Sequence, residues 1–351
     1  MSFNWTDKRV LVTGGASCIG SHLVEALLAR GAKIRVVDDL SSGLVKYLQP
    51  YLDNKTVELI VSDLREPGIA RQAMKDMQIV FHLAADHGGR AYVDLCQAGP
   101  ASNLFLDGVV FAEAVKAKVE KVVFASSGCV YPNQIQTDVT EELYLTEDLA
   151  GPPYNADNMY GWAKLMGELT LQAYHKDYGL KAACCRYFIV YGPRAKEDLS
   201  IMAMIARAFV RQNPFEIWGN GEQIRNWTYV DDIVAGTILA AEKIDDGTVV
   251  NIGTMERIRV IDAAKMVIDT FGYKPEIVKR LDMPVGPVNR VADNSKAKKL
   301  IGWEPKYTLA QGLKPTIEWY LANKTQEEVK AILAGGGLLN KRKVDLLAST
   351  K

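Results

Sequence analysis

The run Val10-Leu11-Val12 leads directly into Thr13-Gly14-Gly15-Ala16-Ser17-Cys18-Ile19-Gly20. Apolar residues then recur at helical spacing through Ile19, Leu23, Leu27 and Leu28, and stop at Gly31. A buried strand that turns within a few residues into a helix is the start of a strand–helix–strand unit. Glycines in that turn let the backbone approach a bound group, and the helix start offers free N–H groups and the positive end of its dipole. Taken alone, the turn also fits a plain tight connection.

The first half repeats this unit. Ile34–Val37, Val57–Ile60, Ile79–Leu83, Val122–Ala125 and Ala182–Tyr187 read as further strands with helical segments between them. Such alternation implies right-handed crossovers and a parallel sheet with helices on both faces. The predicted fold class is α/β, a Rossmann-like doubly wound parallel sheet with a smaller α+β substrate-binding lobe. The lobe follows Tyr191-Gly192-Pro193, with a helix over 202–211, the turn Trp218-Gly219-Asn220-Gly221-Glu222, a short strand and a helix from near Asp231. It reads as too small for a core of its own. The expected division is a cofactor domain over 1–190, to which segments near 226–260 return, an interleaved lobe over 191–325, and a tail over 326–351. The tail either frays or docks through Ile332, Leu338 and Leu339.

Composition removes other classes. The 351 residues carry 42 Lys+Arg and 42 Asp+Glu, which argues against a generally basic nucleic-acid binder. No apolar run reaches the ~20 residues of a membrane span. The N-terminus lacks a cationic segment followed by an apolar one, so no signal peptide is expected. The five cysteines are odd in number and form no Cys-x-x-Cys pair, against a disulfide framework or a thiolate zinc site. A cytoplasmic protein with no metal site and no membrane or nucleic-acid partner is expected.

The cofactor reading gains from Asp38. It ends the second strand about twenty residues past the turn, where a carboxylate accepts hydrogen bonds from both ribose hydroxyls. The same charge repels a 2′-phosphate, so NAD is favoured over NADP. Ser17 stands where the middle glycine of this turn is usual. Its Cβ disfavours positive φ, so a slightly displaced turn is expected, with the hydroxyl available to a phosphate.

Tyr160-Gly161-Trp162-Ala163-Lys164 sets a phenol and an ammonium one helical turn apart. A neighbouring cation stabilises phenolate and fits tyrosine for proton abstraction. About thirty residues upstream lies a Ser-rich strand end, Ala125-Ser126-Ser127-Gly128-Cys129-Val130-Tyr131-Pro132, at the sheet edge where such folds bind ligands. Ser127 is placed to share a substrate hydroxyl with Tyr160. Cys129 is either a small buried hydrophobe or a thiol that gives and takes a proton at a sugar carbon.

Together these motifs resemble the extended short-chain dehydrogenase/reductases of the nucleotide-sugar epimerase/dehydratase family. The resemblance rests on residues 13–20, 36–43, Ser62-Asp63-Leu64, His82–Asp86, Asn103, 125–132, 160–164, 186–193, 221–232, 251–253 and Gly302-Trp303. It implies bound NAD, transient oxidation of the sugar C4 to a ketone, and return of the hydride. It makes Tyr160 the base at the C4 hydroxyl, Lys164 the residue on the nicotinamide ribose and Ser127 the assistant. Gly14, Ser17, Cys18, Ile19, Gly20, Asp38, Asp63, Leu64, Ala84 and Ala85 are then cofactor contacts. Gly88, Gly89 and Arg90 border the sugar, Arg225 and Arg290 clamp the diphosphate, and a homodimer is expected. Phe188 replaces an asparagine that contacts substrate in many members.

The branch is read from His82–Gly89 and 125–132, which resemble GDP-mannose 3,5-epimerases. Gly128 and Cys129 occupy the places of the Asp-Glu pair of the 4,6-dehydratases, which disfavours that reaction. Inversion at C3 and/or C5 needs an acid and a base on opposite faces of the 4-keto sugar. Cys129 is one, and Lys196 is the nearest basic candidate for the other, because Ser200 holds the matching position. The alternatives are a UDP-hexose 4-epimerase and, from another class, a catalytically silent NAD-binding regulatory protein.

Overall fold

The computed structural model describes residues 3–335. Seven strands form its main sheet: β1 (Arg9–Thr13), β2 (Lys33–Asp38), β3 (Val57–Val61), β4 (Ile79–His82), β5 (Lys121–Ser127), β6 (Lys181–Tyr187) and β7 (Asp246–Ile252). Every pairing is parallel and the order is β7-β6-β5-β4-β1-β2-β3. The chain therefore winds outward from β1 to β3, returns to β4, and winds the other way. At that switch between β1 and β4 the carboxyl ends of the strands open a crevice.

Eight helices matter for the site: α1 (Cys18–Leu28), α2 (Asn103–Lys116), α3 (Asn158–Tyr178), α4 (Ser200–Phe209), α5 (Val230–Lys243), α6 (Val260–Thr270), α7 (Leu309–Asn323) and α8 (Gln326–Ala334). The continuous apolar run of β1 reflects burial on both faces. Val10 and Val12 pack with Leu23 and Leu27 of α1 and Ile238 of α5. Leu11 faces the other way, onto Val110 and Phe111 of α2 and Leu171 of α3. Beyond α1, Gly31 takes φ +85° and Ala32 N–H returns to Leu27 O at 3.1 Å, which ends the helix.

The sequence reading names six strands, and the sheet has a seventh. β7 arrives after the lobe and pairs with β6, with an irregular register between Asp246 and Val249. The lobe also differs from expectation, because it has its own apolar core. Met202, Ile205, Phe215, Trp227, Val267 and Leu313 belong to one buried cluster. Helices α6 and α7 supply the residues that the reading did not assign. Cys18 and Ile19 at the start of α1 pack on the edge of that cluster. Two short strand pairings carry Arg225 and Arg290: Ile224–Arg225 runs antiparallel to Ile258–Arg259 and parallel to Asn289–Arg290. In the tail, Val329 of α8 is buried, whereas Leu338 and Leu339 lie outside the described residues. Among the described residues no helix is long and apolar enough to cross a membrane.

Candidate active site

A cavity of about 990 Å³ lies between the carboxyl edge of the sheet and the lobe. Ser17, Cys18, Ile19, Ala85, Gly88, Gly89, Ser127, Cys129, Tyr160, Lys164, Lys196, Arg225 and Arg290 all line it. Gly14, Asp38, Asp63, Leu64 and Ala84 line a second cavity of about 80 Å³, and Ser17, Ala85 and His87 border both.

The Gly-rich turn holds its shape through close approach. Gly14 has φ +69°, and a Cβ there would lie 2.9 Å from Ala84 N. A Cβ on Gly20 would lie 2.2 Å from Gly14 O. Ser17 needs no glycine, because its φ is −84° and its ψ −179°, ordinary extended backbone. Its hydroxyl donates to Gly14 O at 2.7 Å, so it faces inward and ties the turn instead of reaching for a phosphate. Ser17 thus carries no positive-φ strain, and the expected penalty at this position disappears. Ser17 caps no N–H with its side chain, and the first turn of α1 has no acidic residue. The free N–H groups and the positive end of the helix dipole are thus left for an anion.

Asp38 accepts from Ala16 N–H and from Leu40 N–H, each at 2.9 Å. Burial pushes its carboxyl up, against those two bonds. The bonds fix the carboxylate against the turn and leave other lone pairs for a ribose. Asp63 is bound by Arg65, whose bonds hold it below the usual carboxylate range. Lys164 Nζ is buried and has no hydrogen-bond partner, although it borders the main cavity. An unpartnered buried ammonium in a cavity is an incomplete site. The extended cleft, the free helix start and this orphaned donor together fit a dinucleotide. Ser17–Gly20 would hold its pyrophosphate, Asp38 the adenosine ribose, Asp63 and Leu64 the adenine, and Lys164 the nicotinamide ribose. The bound dinucleotide supplies a reversible hydride acceptor.

Tyr160 is brought to Cys129 by a second close approach. A Cβ on Gly161 would lie 2.1 Å from Cys129 O, so only glycine lets the start of α3 sit against that loop. Asp157 N–H donates to the same carbonyl at 2.9 Å. Asn158 Oδ1 accepts from Tyr160 N–H at 3.0 Å and caps the helix locally. Ser127 Oγ accepts from Cys129 N–H at 3.1 Å. Burial pushes the Tyr160 phenol up and the Lys164 amine down.

The arginines divide in a way the sequence does not show. Arg290 is buried and reaches the thiol: it donates to Cys129 Sγ at 3.4 Å, to Gln136 Oε1 at 2.8 Å and to Asp157 Oδ2 at 3.1 Å. Asp157 Oδ2 also accepts from Arg90 at 2.6 Å. Burial raises the Asp157 carboxyl, and the two guanidiniums outweigh it and hold it below the usual range. Arg225 has no carboxylate partner among its hydrogen bonds. It donates to the carbonyls of Ile224 at 2.8 Å, Val285 at 2.9 Å and Pro287. Burial and the like charges of Arg290 and Arg90 push Arg225 down to about 9. It is an under-compensated cation at the cavity wall.

Gly88 and Gly89 pack more than they open. A Cβ on Gly89 would lie 2.0 Å from Asp198 O, and Gly89 N–H donates to Asp198 Oδ2 at 2.9 Å. The lobe loop closes directly on this turn. Phe188 is 1% exposed and packs with Tyr131, Val130 and Leu145, so it serves an apolar cluster and not a polar contact. Lys196 makes its charge felt at Asp38, the ribose end. Ser200 Oγ accepts from Trp227 Nε1–H at 2.9 Å. Sequence reasoning missed Asp157 and the Asp94–Arg90 pair.

Residues 10–253 match the NAD dependent epimerase/dehydratase family. This chain is a member of that family, and NAD is the cofactor of the family. It is 28% identical to a putative UDP-glucose 4-epimerase of Methanocaldococcus jannaschii, over 90% of this chain and 99% of the relative. It is also 28% identical to the GDP-mannose 3,5-epimerase of Arabidopsis thaliana, over 92% of this chain and 85% of that protein. Its fold matches the crystal structure of a UDP-glucuronic acid 4-epimerase from Bacillus cereus, in complex with UDP-glucuronic acid and NAD, with TM-score 0.80 at 28% identity, covering 90% of this chain and 100% of the other.

Proposed function

We propose that this chain is an NAD-dependent nucleotide-sugar epimerase that inverts C3 and/or C5 of a nucleoside-diphosphate hexose through a 4-keto sugar, in the manner of a GDP-mannose 3,5-epimerase. The observation that carries this reading is the meeting of Ser127, Tyr160 and Cys129 at one cavity, with the Cys129 thiol bonded to Arg290. Tyr160 takes the proton of the C4 hydroxyl, Ser127 shares that hydroxyl, and Lys164 lends its charge. The resulting ketone acidifies the neighbouring C–H bonds. Cys129 then removes or returns a proton on one face of the sugar. Lys196 is the proposed partner on the other face. Arg225, with Arg290 beside it, receives the diphosphate.

A 4-epimerase is the second reading, and one observation favours it. Ser200, at the position expected for a second acid, is committed to Trp227, and Lys196 acts on Asp38 at the far end. Turnover of GDP-mannose and of UDP-hexoses in D2O separates the two. Proton exchange at C3 or C5 places solvent deuterium on the product carbon. A product with deuterium at neither carbon overturns the first reading and leaves the second. Replacing Tyr160→Phe should lower kcat about a thousandfold; unaltered turnover would remove the mechanism altogether. The proposal extends to a cytoplasmic homodimer. Leu104 and Phe105 of α2 and Met166 of α3 are large apolar side chains left exposed, which a second copy could cover, and sedimentation velocity reads the assembly state.

A further inference from the structure

Behind the Tyr160–Lys164 pair lies a buried polar chain that no step above uses. Thr13 and His82 are wholly buried and Asp107 is 3% exposed. Thr13 Oγ1 accepts from Leu83 N–H at 3.2 Å and from Ala84 N–H at 3.1 Å. It lies 2.8 Å from His82 Nδ1, and His82 Nε2 lies 3.0 Å from Asp107 Oδ1. The direction of the chain follows from the donors. Two backbone N–H groups fill the two lone pairs of the Thr13 hydroxyl, so its one proton goes to His82 Nδ1. The proton of the neutral ring then sits on Nε2 and is donated to Asp107. Burial pushes the ring down in pKa, which keeps it neutral.

This arrangement anchors one carboxylate oxygen and leaves the other. Asp107 Oδ2 is buried without a hydrogen-bond partner, as is Lys164 Nζ. The two orphans border the same ring. Lys164 Nζ lies 4.6 Å from the centroid of Phe124. A Cβ on Gly167, one turn further along α3, would lie 2.5 Å from Phe124 Cζ and 3.2 Å from Asp107 Oδ2. Burial drives Lys164 toward its neutral form, and Asp107 and Glu168 oppose that. Glu168 is already engaged by Arg186, at 2.9 and 2.8 Å, and by Ser126. Cys129, Asp107 and Asp86 act on Tyr160, and of these only Asp107 is also among the groups that act on Lys164.

We propose that Asp107, oriented by His82, is a positioning residue: it is the buried counter-charge that keeps the Lys164 ammonium intact one turn from Tyr160. The inference rests on the reading of Tyr160 and Lys164 as the reacting pair, but its readout is on Lys164 itself and needs no turnover. The two can therefore fail separately. The experiment is a pH titration of Lys164 in the NAD-loaded protein by 13C NMR of labelled lysine, with the signal assigned by its loss in Lys164→Arg. In the wild type Lys164 should still be charged at about pH 7. In Asp107→Asn its midpoint should fall by about one pH unit or more, and the alkaline limb of the kcat/KM profile should move down with it. His82→Gln keeps an N–H donor beside an intact Asp107 and should move the midpoint by less than about half as much. A Lys164 already neutral at about pH 7 in the wild type overturns the proposal, and that arm decides alone where Asp107→Asn does not fold. Equal shifts in the two variants also overturn it. So does a lowered melting temperature with an unmoved Lys164 midpoint, which would make Asp107 a packing residue only.

Discussion

At the cofactor end of the cavity, position is set by backbone. Gly14, Gly20 and the start of α1 make the site, and the side chain of Ser17 only ties a carbonyl. At the sugar end, position is set by charge. Arg90, Asp157 and Arg290 come from three distant stretches and meet at one carboxylate oxygen. A backbone site tolerates a changed side chain wherever φ allows it. A charge site depends on its shared member, because removal of Asp157 leaves Arg290 buried without a carboxylate partner and Arg90 with Asp94 alone. On this contrast the unusual residue at 17 fits its turn without strain, while Asp157 ties Arg90 to Arg290.

The largest test of this contrast is Asp157→Ala. Asp157 is 1% exposed and holds two guanidiniums. Its loss should lower unfolding stability by about 3–5 kcal/mol in denaturant titration. The same pair gives a pH signature. The folded carboxyl is held below its unfolded value, so its contribution is complete above the unfolded value near ~3.9 and is lost as pH falls below it. The variant should therefore lose less stability than the wild type on acidification through that window. A variant as stable as the wild type would erase the contrast.

Arg225→Ala comes next. Without a carboxylate partner, Arg225 is the cation whose charge is left for a ligand. Its removal should weaken nucleoside-diphosphate binding about tenfold to a hundredfold by calorimetry, and the freed carbonyls of Ile224, Val285 and Pro287 should cost less stability than Asp157→Ala does. A large fall in stability without loss of affinity would move Arg225 into the structural class. The smallest effect belongs to Ser17→Gly. One inward hydrogen bond is lost and no strain is relieved, so NAD affinity should change by less than about fivefold. A large loss would show that the hydroxyl meets the phosphate after all.

The same contrast marks what the sequence makes legible. The turn at 13–20, Asp38 and the Tyr160–Lys164 spacing follow rules that act over a few residues, and they lie where those rules put them. Arg90 and Arg290 are 67 and 133 residues from Asp157, and no local pattern announces such pairs. Asp107 left a trace. It sits three and four residues before Val110 and Phe111, an acid on the buried stripe of α2, where a charge has a high desolvation cost. Arg290 beside Cys129 was invisible because its strand reaches the site only through the pairing of Asn289–Arg290 with Ile224–Arg225. β7 lies within the stretch 226–260 expected to return to the cofactor domain, but it is not named as a strand there, because the lobe interrupts the strand–helix rhythm before it.

That late strand governs how the chain can be cut and how it matures. Until residues 246–252 have emerged, β6 stands as an open edge, with unpaired peptide groups along Cys184, Cys185 and Arg186. Residues 191–245, the first part of the lobe, are synthesised before the sheet can close. A fragment ending at residue 190 would lack this last strand and leave the edge of β6 open to other chains.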